Sequence, residues 1–104
     1  AVKNIKPLYQ EDPTMFSTCK AWQNGEVYLE MAYNAYYTNY ELALINTWFI
    51  AKTVYPEAFA DIDLTAKTNE VTQAFFGMDL ADAIFACPSS FGGYGKIDTA
   101  TFFG

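Results

Sequence analysis

One segment limits the fold more than any other, TNYELALINTWFIAKTVYP from Thr38 to Pro56. Thr38 and Glu41 have the spacing of a capping box, in which the threonine hydroxyl accepts from the third helical amide and the glutamate reaches back to the cap amide. The helix this predicts runs over about 39–55. Pro56 stops it, because proline disfavours the α conformation at Tyr55 and cannot donate to the helical ladder. Leu42, Ile45 and Phe49 form one stripe, and Leu44, Trp48, Ala51 and Tyr55 form a second beside it. With apolar residues over more than half of its circumference, this helix is expected to be buried on two sides.

The flanking segments read as shorter elements. Residues Ala1 to Gln10 are weakly helical in composition, and Pro7 and the run Glu11-Asp12-Pro13 mark a break. A helix over about 13–22 follows, with Asp12 as cap, Pro13 in its first turn, and Met15, Phe16, Cys19 and Trp22 on one face. Asn24-Gly25 supplies a turn. Over residues 26–32 the pattern changes to period two, with Val27, Leu29 and Met31 against Tyr28 and Glu30, as in a half-buried strand. A tyrosine-rich loop separates this strand from the apolar helix. Beyond Pro56, Asp63 or Thr65 caps a helix over 65–76 with Leu64, Thr68, Val71 and Phe75 on one side, and Gly77 closes it in a left-handed C-cap. Asp79 is placed to cap a further helix over 79–87 carrying Leu80, Ala83, Ile84 and Cys87, ended by Pro88. The glycine-bearing tail from Ser89 to Gly104 reads as a loop that packs Phe91, Tyr94, Ile97 and Phe102 onto a neighbour.

Composition removes most chemistries. The 104 residues are 52% hydrophobic and 18% aromatic, too apolar for disorder and of a length that suits one domain. Twelve carboxylates against six lysines give a net charge of −6, and there is no arginine and no histidine. Nucleic acid is a poor partner for such a surface, since phosphate neutralisation needs clustered basic side chains. Without imidazole there is no Ser-His-Asp or Cys-His pair and no histidine zinc site; without guanidinium there is no bidentate phosphate clamp. Glu57, Asp61 and Asp63 lie close together, and they read as acids that complement the dipole of the helix after them rather than as a catalytic pair. No enzyme activity, cofactor or metal site is expected. Cys19 and Cys87 fit no CxxC spacing; a disulfide and two small buried hydrophobes are both open. The longest apolar run, around Leu42 to Ile50, is too short for a bilayer and is interrupted by Asn46 and Thr47. The chain starts without an apolar signal region, so a secretion signal, if one existed, is expected to have been cut away or to lie outside this sequence.

Several pieces in order carry a family resemblance: NGEVY, YNAYYTNYELAL, the apolar helix ending in VYPEAFADID, a helix ending in FFG, and FGGYGKID. Over roughly Asn24 to Asp98 the chain resembles the C-terminal part of the iron-siderophore and cobalamin class of ABC-transporter substrate-binding proteins. The resemblance implies an α/β fold, here a partial C-terminal lobe of a two-lobed periplasmic binding protein, helix-rich with a small sheet. It also implies an extracytoplasmic location, periplasmic or as a cell-surface lipoprotein. In that class two lobes joined by a long helix hold a metal chelate (iron-siderophore, haem or cobalamin) in the cleft between them and deliver it to an ABC permease. This chain matches only part of one lobe, so it is expected to be a single domain or piece of a larger protein and to bind a chelate very weakly by itself. Pairing of two copies through the exposed edge is a further expectation. The helix near Leu80 to Cys87 is more apolar than the family pattern, and the TATFFG end departs from it.

The candidate ligand contacts are Tyr33, Asn34, Tyr36, Tyr37, Thr38 and Asn39. Their loop leaves the carboxyl end of the strand and precedes a helix N-terminus, where ligands bind in open α/β sheets. Tyrosine rings stack on a flat chelate or macrocycle and keep a hydroxyl for hydrogen bonding; the amides and threonine add donors and acceptors. Packing of some of these tyrosines against the large helix is the competing reading. Trp22 and Trp48 sit on helical apolar faces and read as core, and Glu26 and Glu57 as solvated. The alternative to a transport receptor is a small secreted aromatic-rich domain that binds a protein or a glycan.

Overall fold

The structure, a computed structural model, describes residues 2–34, 36–86 and 93–103. It is helix-rich, with helices α1 (Val2–Glu11), α2 (Thr14–Ser17) and α3 (Lys20–Gln23), strand β1 (Tyr28–Leu29), helices α4 (Tyr40–Val54), α5 (Leu64–Phe76) and α6 (Ala81–Phe85), and strand β2 (Gly95–Lys96). The chain divides into two compact units, residues 1–29 with 94–104, and residues 30–93.

In the first unit α1 continues through Pro7, where a break was expected. The missing amide falls in mid-helix, and the carbonyl it would have served, that of exposed Lys3, can be solvated. Asp12 caps as anticipated, its carboxylate accepting from the Thr14 amide at 3.0 Å and from the Thr14 hydroxyl. The single helix expected over 13–22 is instead two short ones. Thr18 turns its hydroxyl back onto the Thr14 carbonyl at 2.7 Å, and Cys19 is extended at φ −74° and ψ 119°. The Thr18 amide keeps its bond to the same carbonyl at 3.0 Å, and the chain leaves the helix only at Cys19. The expected apolar face is broken with the helix: Met15 and Cys19 are exposed, and the Cys19 thiol is free. Phe16 and Trp22 do meet, with ring centroids 5.3 Å apart, and Phe103 stacks on Trp22 at 5.3 Å and on Tyr9 at 4.2 Å. Phe102 joins this aromatic cluster edge-on to Trp22.

Gly25, at φ 69°, makes the turn expected of Asn24-Gly25. The strand expected over 26–32 is reduced to Tyr28–Leu29, although the alternation of exposure persists from Val27 to Met31. Its partner comes from the tail that was expected to be a loop: β1 and β2 pair antiparallel, Tyr28 opposite Lys96 and Leu29 opposite Gly95. Two residues a side is all the ladder holds, extended by the Ile97 amide on the Val27 carbonyl at 3.0 Å. Phe91, Gly92, Cys87 and the end expected for the last helix lie outside the described residues.

In the second unit α4 packs on α5 and α5 on α6. Ile45 is fully buried on α4, and Thr68 and Thr72 are the matching buried residues of α5. Asp63 caps α5 by accepting from the Thr65 and Ala66 amides at 2.9 and 3.3 Å, and Gly77 ends it left-handed at φ 69°, both as the spacing predicts. Asp79 does not cap α6; it accepts from the Gln73 side chain at 2.8 Å. The amides at the start of α6 are taken by α5 instead, Leu80 by the Thr72 hydroxyl at 3.2 Å and Ala81 by the Asn69 carbonyl oxygen at 2.9 Å. Thr72 can therefore be buried at no cost in unsatisfied donors, since it also donates to the Asn69 backbone carbonyl. Lys52 is turned off the helix end onto the carbonyls of Phe59 and Ile62 and so fixes the turn after Pro56. Trp48 packs edge-on to Phe59, with the Lys67 ammonium 5.0 Å from its ring centroid.

Burial of α4 on two sides is corrected. The side bearing Ile45 is covered, but from the second stripe Leu44 and Tyr55 are exposed, with Ile50, Val54 and Tyr40 beside them.

Candidate functional site

The tyrosine loop is held by asparagines of the helix that follows it. Asn46, buried inside α4, donates from its side chain to the Met31 carbonyl at 2.7 Å and fixes the segment that enters the loop. At the exit the Asn39 amide donates to the Tyr33 carbonyl at 2.6 Å, and its side-chain nitrogen donates to the same oxygen at 3.1 Å and to the Tyr37 carbonyl at 3.4 Å. The loop from Tyr33 to Asn39 is thereby closed on itself.

The rings point away from this backbone. Tyr36 is fully exposed at 101%, Tyr37 82% and Tyr33 41%, and Asn34 and Thr38 are exposed as well. Ala35 lies outside the described residues. Tyr36 has φ 66°, the left-handed region that costs a non-glycine residue about 1–3 kcal/mol. The closed loop over-determines that conformation and sets the Tyr36 ring in solvent. Five of the six expected contacts are thus presented outward, and Asn39 is half-buried as the clasp.

The capping box does not form. Asn39 occupies the N-cap position of α4 without a side-chain bond to the helix, because its amide is turned backward into the loop. Thr38 is exposed, and the first amides of α4 carry no side-chain cap from it. Neither asparagine clasp follows from local pattern. Asn46 offers the one usable signal: an amide in a run that is otherwise apolar must find a partner once buried.

Elsewhere an open hollow of about 470 Å³ lies at the C-terminal end of α4, lined by Val54, Tyr55, Pro56, Glu57 and Ala58. In the first unit a hollow of about 200 Å³ is bordered by Tyr9, Trp22, Thr99, Ala100 and Phe103. Trp22 and Trp48 are half-buried in their aromatic contacts. Among the described residues no three acidic or thiol side chains gather as a metal site would require, and no helix is long and apolar enough to cross a membrane.

Ion pairs occur in both units: on α5 Lys67 donates to Glu70 at 2.7 Å, and in the first unit Lys96 meets Glu26. Lys96 donates to Glu26 at 2.9 Å and holds that carboxyl below its ordinary range, helped by the Tyr28 hydroxyl at 2.8 Å. Donating that bond to the Glu26 carboxylate raises the Tyr28 hydroxyl above its ordinary range. Compared with known proteins, the chain matches no family model, and no curated protein matches it significantly.

Proposed function

We propose that this chain is part of the C-terminal lobe of a solute receptor of an ABC importer, and that its tyrosine loop is one wall of a cleft for a metal chelate of the iron-siderophore, haem or cobalamin type. The observation that carries the reading is the presentation of Tyr36 and Tyr37. Two large rings stand in solvent on a backbone that Asn39 closes and Asn46 anchors, a costly arrangement for a loop with no ligand to meet. Exposed rings on a fixed frame lose little freedom when a flat ligand stacks on them. The family likeness in the segments around the loop supplies the ligand class and the permease as the second partner, and with them an extracytoplasmic setting. The chemistry asked of the chain is binding alone.

The test is calorimetric titration of the receptor that carries this chain with a gallium(III) trihydroxamate, gallium protoporphyrin and cyanocobalamin. One of the three is expected to saturate a single site. Tyr36→Ala with Tyr37→Ala should weaken it by about tenfold, at 0.5–1.5 kcal/mol for each lost ring contact. Saturation by none, or saturation indifferent to both rings, would refute the proposal.

A further inference from the structure

The uncovered side of α4 is regular. Tyr40, Leu44, Thr47, Ala51 and Val54 follow one another at spacings of four, three, four and three, the 3.5-residue period of a coiled-coil seam. Ile50 lies along one flank. At about 100° per residue these six positions fall within roughly 120° of arc, opposite buried Ile45, with buried Asn46 beside the Ile50 flank. Tyr40 is 67% exposed, Val54 57%, Ile50 48% and Leu44 46%. Ala51 is half-buried and small enough for close helix approach.

No charged side chain lies on this seam. The two charged residues of α4, Glu41 and Lys52, lie off it, and Lys52 is occupied by the carbonyls of Phe59 and Ile62. Thr47 and the Tyr40 hydroxyl are its polar groups, and the Thr47 hydroxyl already donates to the Ala43 carbonyl at 2.9 Å. The Thr47 methyl is what a partner would meet.

The two ends of the seam are complementary. At the N-terminal end stands the Tyr40 ring; at the C-terminal end Val54 forms one wall of the hollow completed by Tyr55, Pro56, Glu57 and Ala58. Tyr40 and Val54 are about 21 Å apart along the helix, with Thr47 midway. A two-fold axis through Thr47 would lay two such helices antiparallel and bring the Tyr40 ring of each copy to the hollow of the other, an isologous contact made twice. Antiparallel placement also opposes the helix dipoles favourably.

We infer that the Tyr40–Val54 face of α4 is a self-association surface, on which two copies of this chain pair antiparallel about Thr47. The exposed area of the seam with Tyr55 is roughly 500–600 Å² per copy, counting a fully exposed aromatic as about 200 Å². Doubled, that falls just short of the ~1,200 Å² at which stable interfaces begin. The pairing is therefore of the weak, reversible class. It draws on no residue of the tyrosine loop, so it stands or falls independently of the proposed ligand.

Disulfide trapping tests it on the 104-residue chain in a Cys19→Ser, Cys87→Ser background. A residue on the two-fold axis meets its own copy, so Thr47→Cys should cross-link under mild oxidation at least tenfold faster than Ala74→Cys, an exposed control on α5. Leu44→Glu, at an exposed site that leaves the fold intact by circular dichroism, should abolish the difference. Tyr40→Cys should link to Val54→Cys in a mixture and not to itself. Equal rates at Thr47→Cys and the control, insensitivity to Leu44→Glu, or self-linking of Tyr40→Cys would each overturn the inference. So would a monomer whose Thr47→Cys thiol is shielded from maleimide, since another part of the chain would then cover the face.

Discussion

Asn39 sits where helices prefer asparagine as a cap, yet its side chain serves the loop, and replacing it separates the two roles. The bond from its side-chain nitrogen to Tyr33 at 3.1 Å is a good one and that to Tyr37 at 3.4 Å a weak one. Together they are worth about 1 kcal/mol, a roughly fivefold change in how often the loop opens. Asn39→Asp removes both, because a carboxylate cannot donate, but it restores a cap acceptor at the α4 N-terminus worth about 1 kcal/mol, with some 0.3–1 kcal/mol more from the helix dipole. Asn39→Ala removes both bonds and supplies no cap. The Asp variant should therefore open the loop while the melting temperature stays level or rises, and the Ala variant should open it and melt about 4–8 °C lower. Exchange of the Asn39 amide, which closes the loop onto Tyr33, reports opening by NMR; calorimetry reports the melt. If the Asp variant melts as low as the Ala variant, or amide exchange changes in neither, the clasp does not hold the loop.

Four other outcomes follow from the packing. Ile45→Ala, at a fully buried site between α4 and α5, should cost about 2–5 kcal/mol in denaturant titration. Gly77→Ala should cost about 1 kcal/mol, because φ 69° suits only glycine well, although no atom lies within 4 Å of the added methyl. Asn69→Ala should raise amide exchange in α6 while leaving α5 protected, as the Ala81 amide loses its acceptor. In acid, Asp12 is lowered by the Thr14 hydroxyl and amide, Asp98 by the Thr101 hydroxyl and the Ala100 amide, and Glu26 by Lys96 and Tyr28. Folded values below the unfolded ones mean that each group's contribution is complete above about pH 5 and is lost as pH falls through the lowered value. Near-ultraviolet circular dichroism of the Trp22 cluster should show that loss, and Glu26→Gln with Asp98→Asn should flatten it.

What was legible in the sequence was whatever local chemistry decides. Asp63, Gly77, Gly25, Asp12 and Pro56 act within one turn of themselves, and each does what its type and position predict. The misread elements depend on partners distant in sequence or on rival bonds nearby. Thr38 and Glu41 fit a capping box, but Asn39 had a better use in the loop; Asp79 was placed to cap α6, but Asn69 and Thr72 reach those amides first. The helix over 13–22 breaks at Cys19, which is extended, a change of backbone conformation that apolar spacing does not register. β2 escaped notice because Gly95–Lys96 has no alternation and owes its conformation to β1. At the candidate site the exposed tyrosines could be named from the sequence, whereas the asparagines that hold them could not, since their acceptors are carbonyls identified only once the loop is folded.

The central claim, that the loop from Tyr33 to Asn39 is the ligand face of this chain, is tested most directly by NMR titration of the 104-residue protein with the gallium trihydroxamate, gallium protoporphyrin and cyanocobalamin, all diamagnetic. With only one wall of the cleft supplied, binding should be weak, with a dissociation constant roughly millimolar, about −4 kcal/mol. The account predicts that one of the three ligands shifts the ring resonances of Tyr33, Tyr36 and Tyr37 and the Asn39 amide, and that Tyr36→Ala with Tyr37→Ala removes the shifts. A loop untouched by all three at several-fold that concentration, or shifts confined to other parts of the chain, would contradict it.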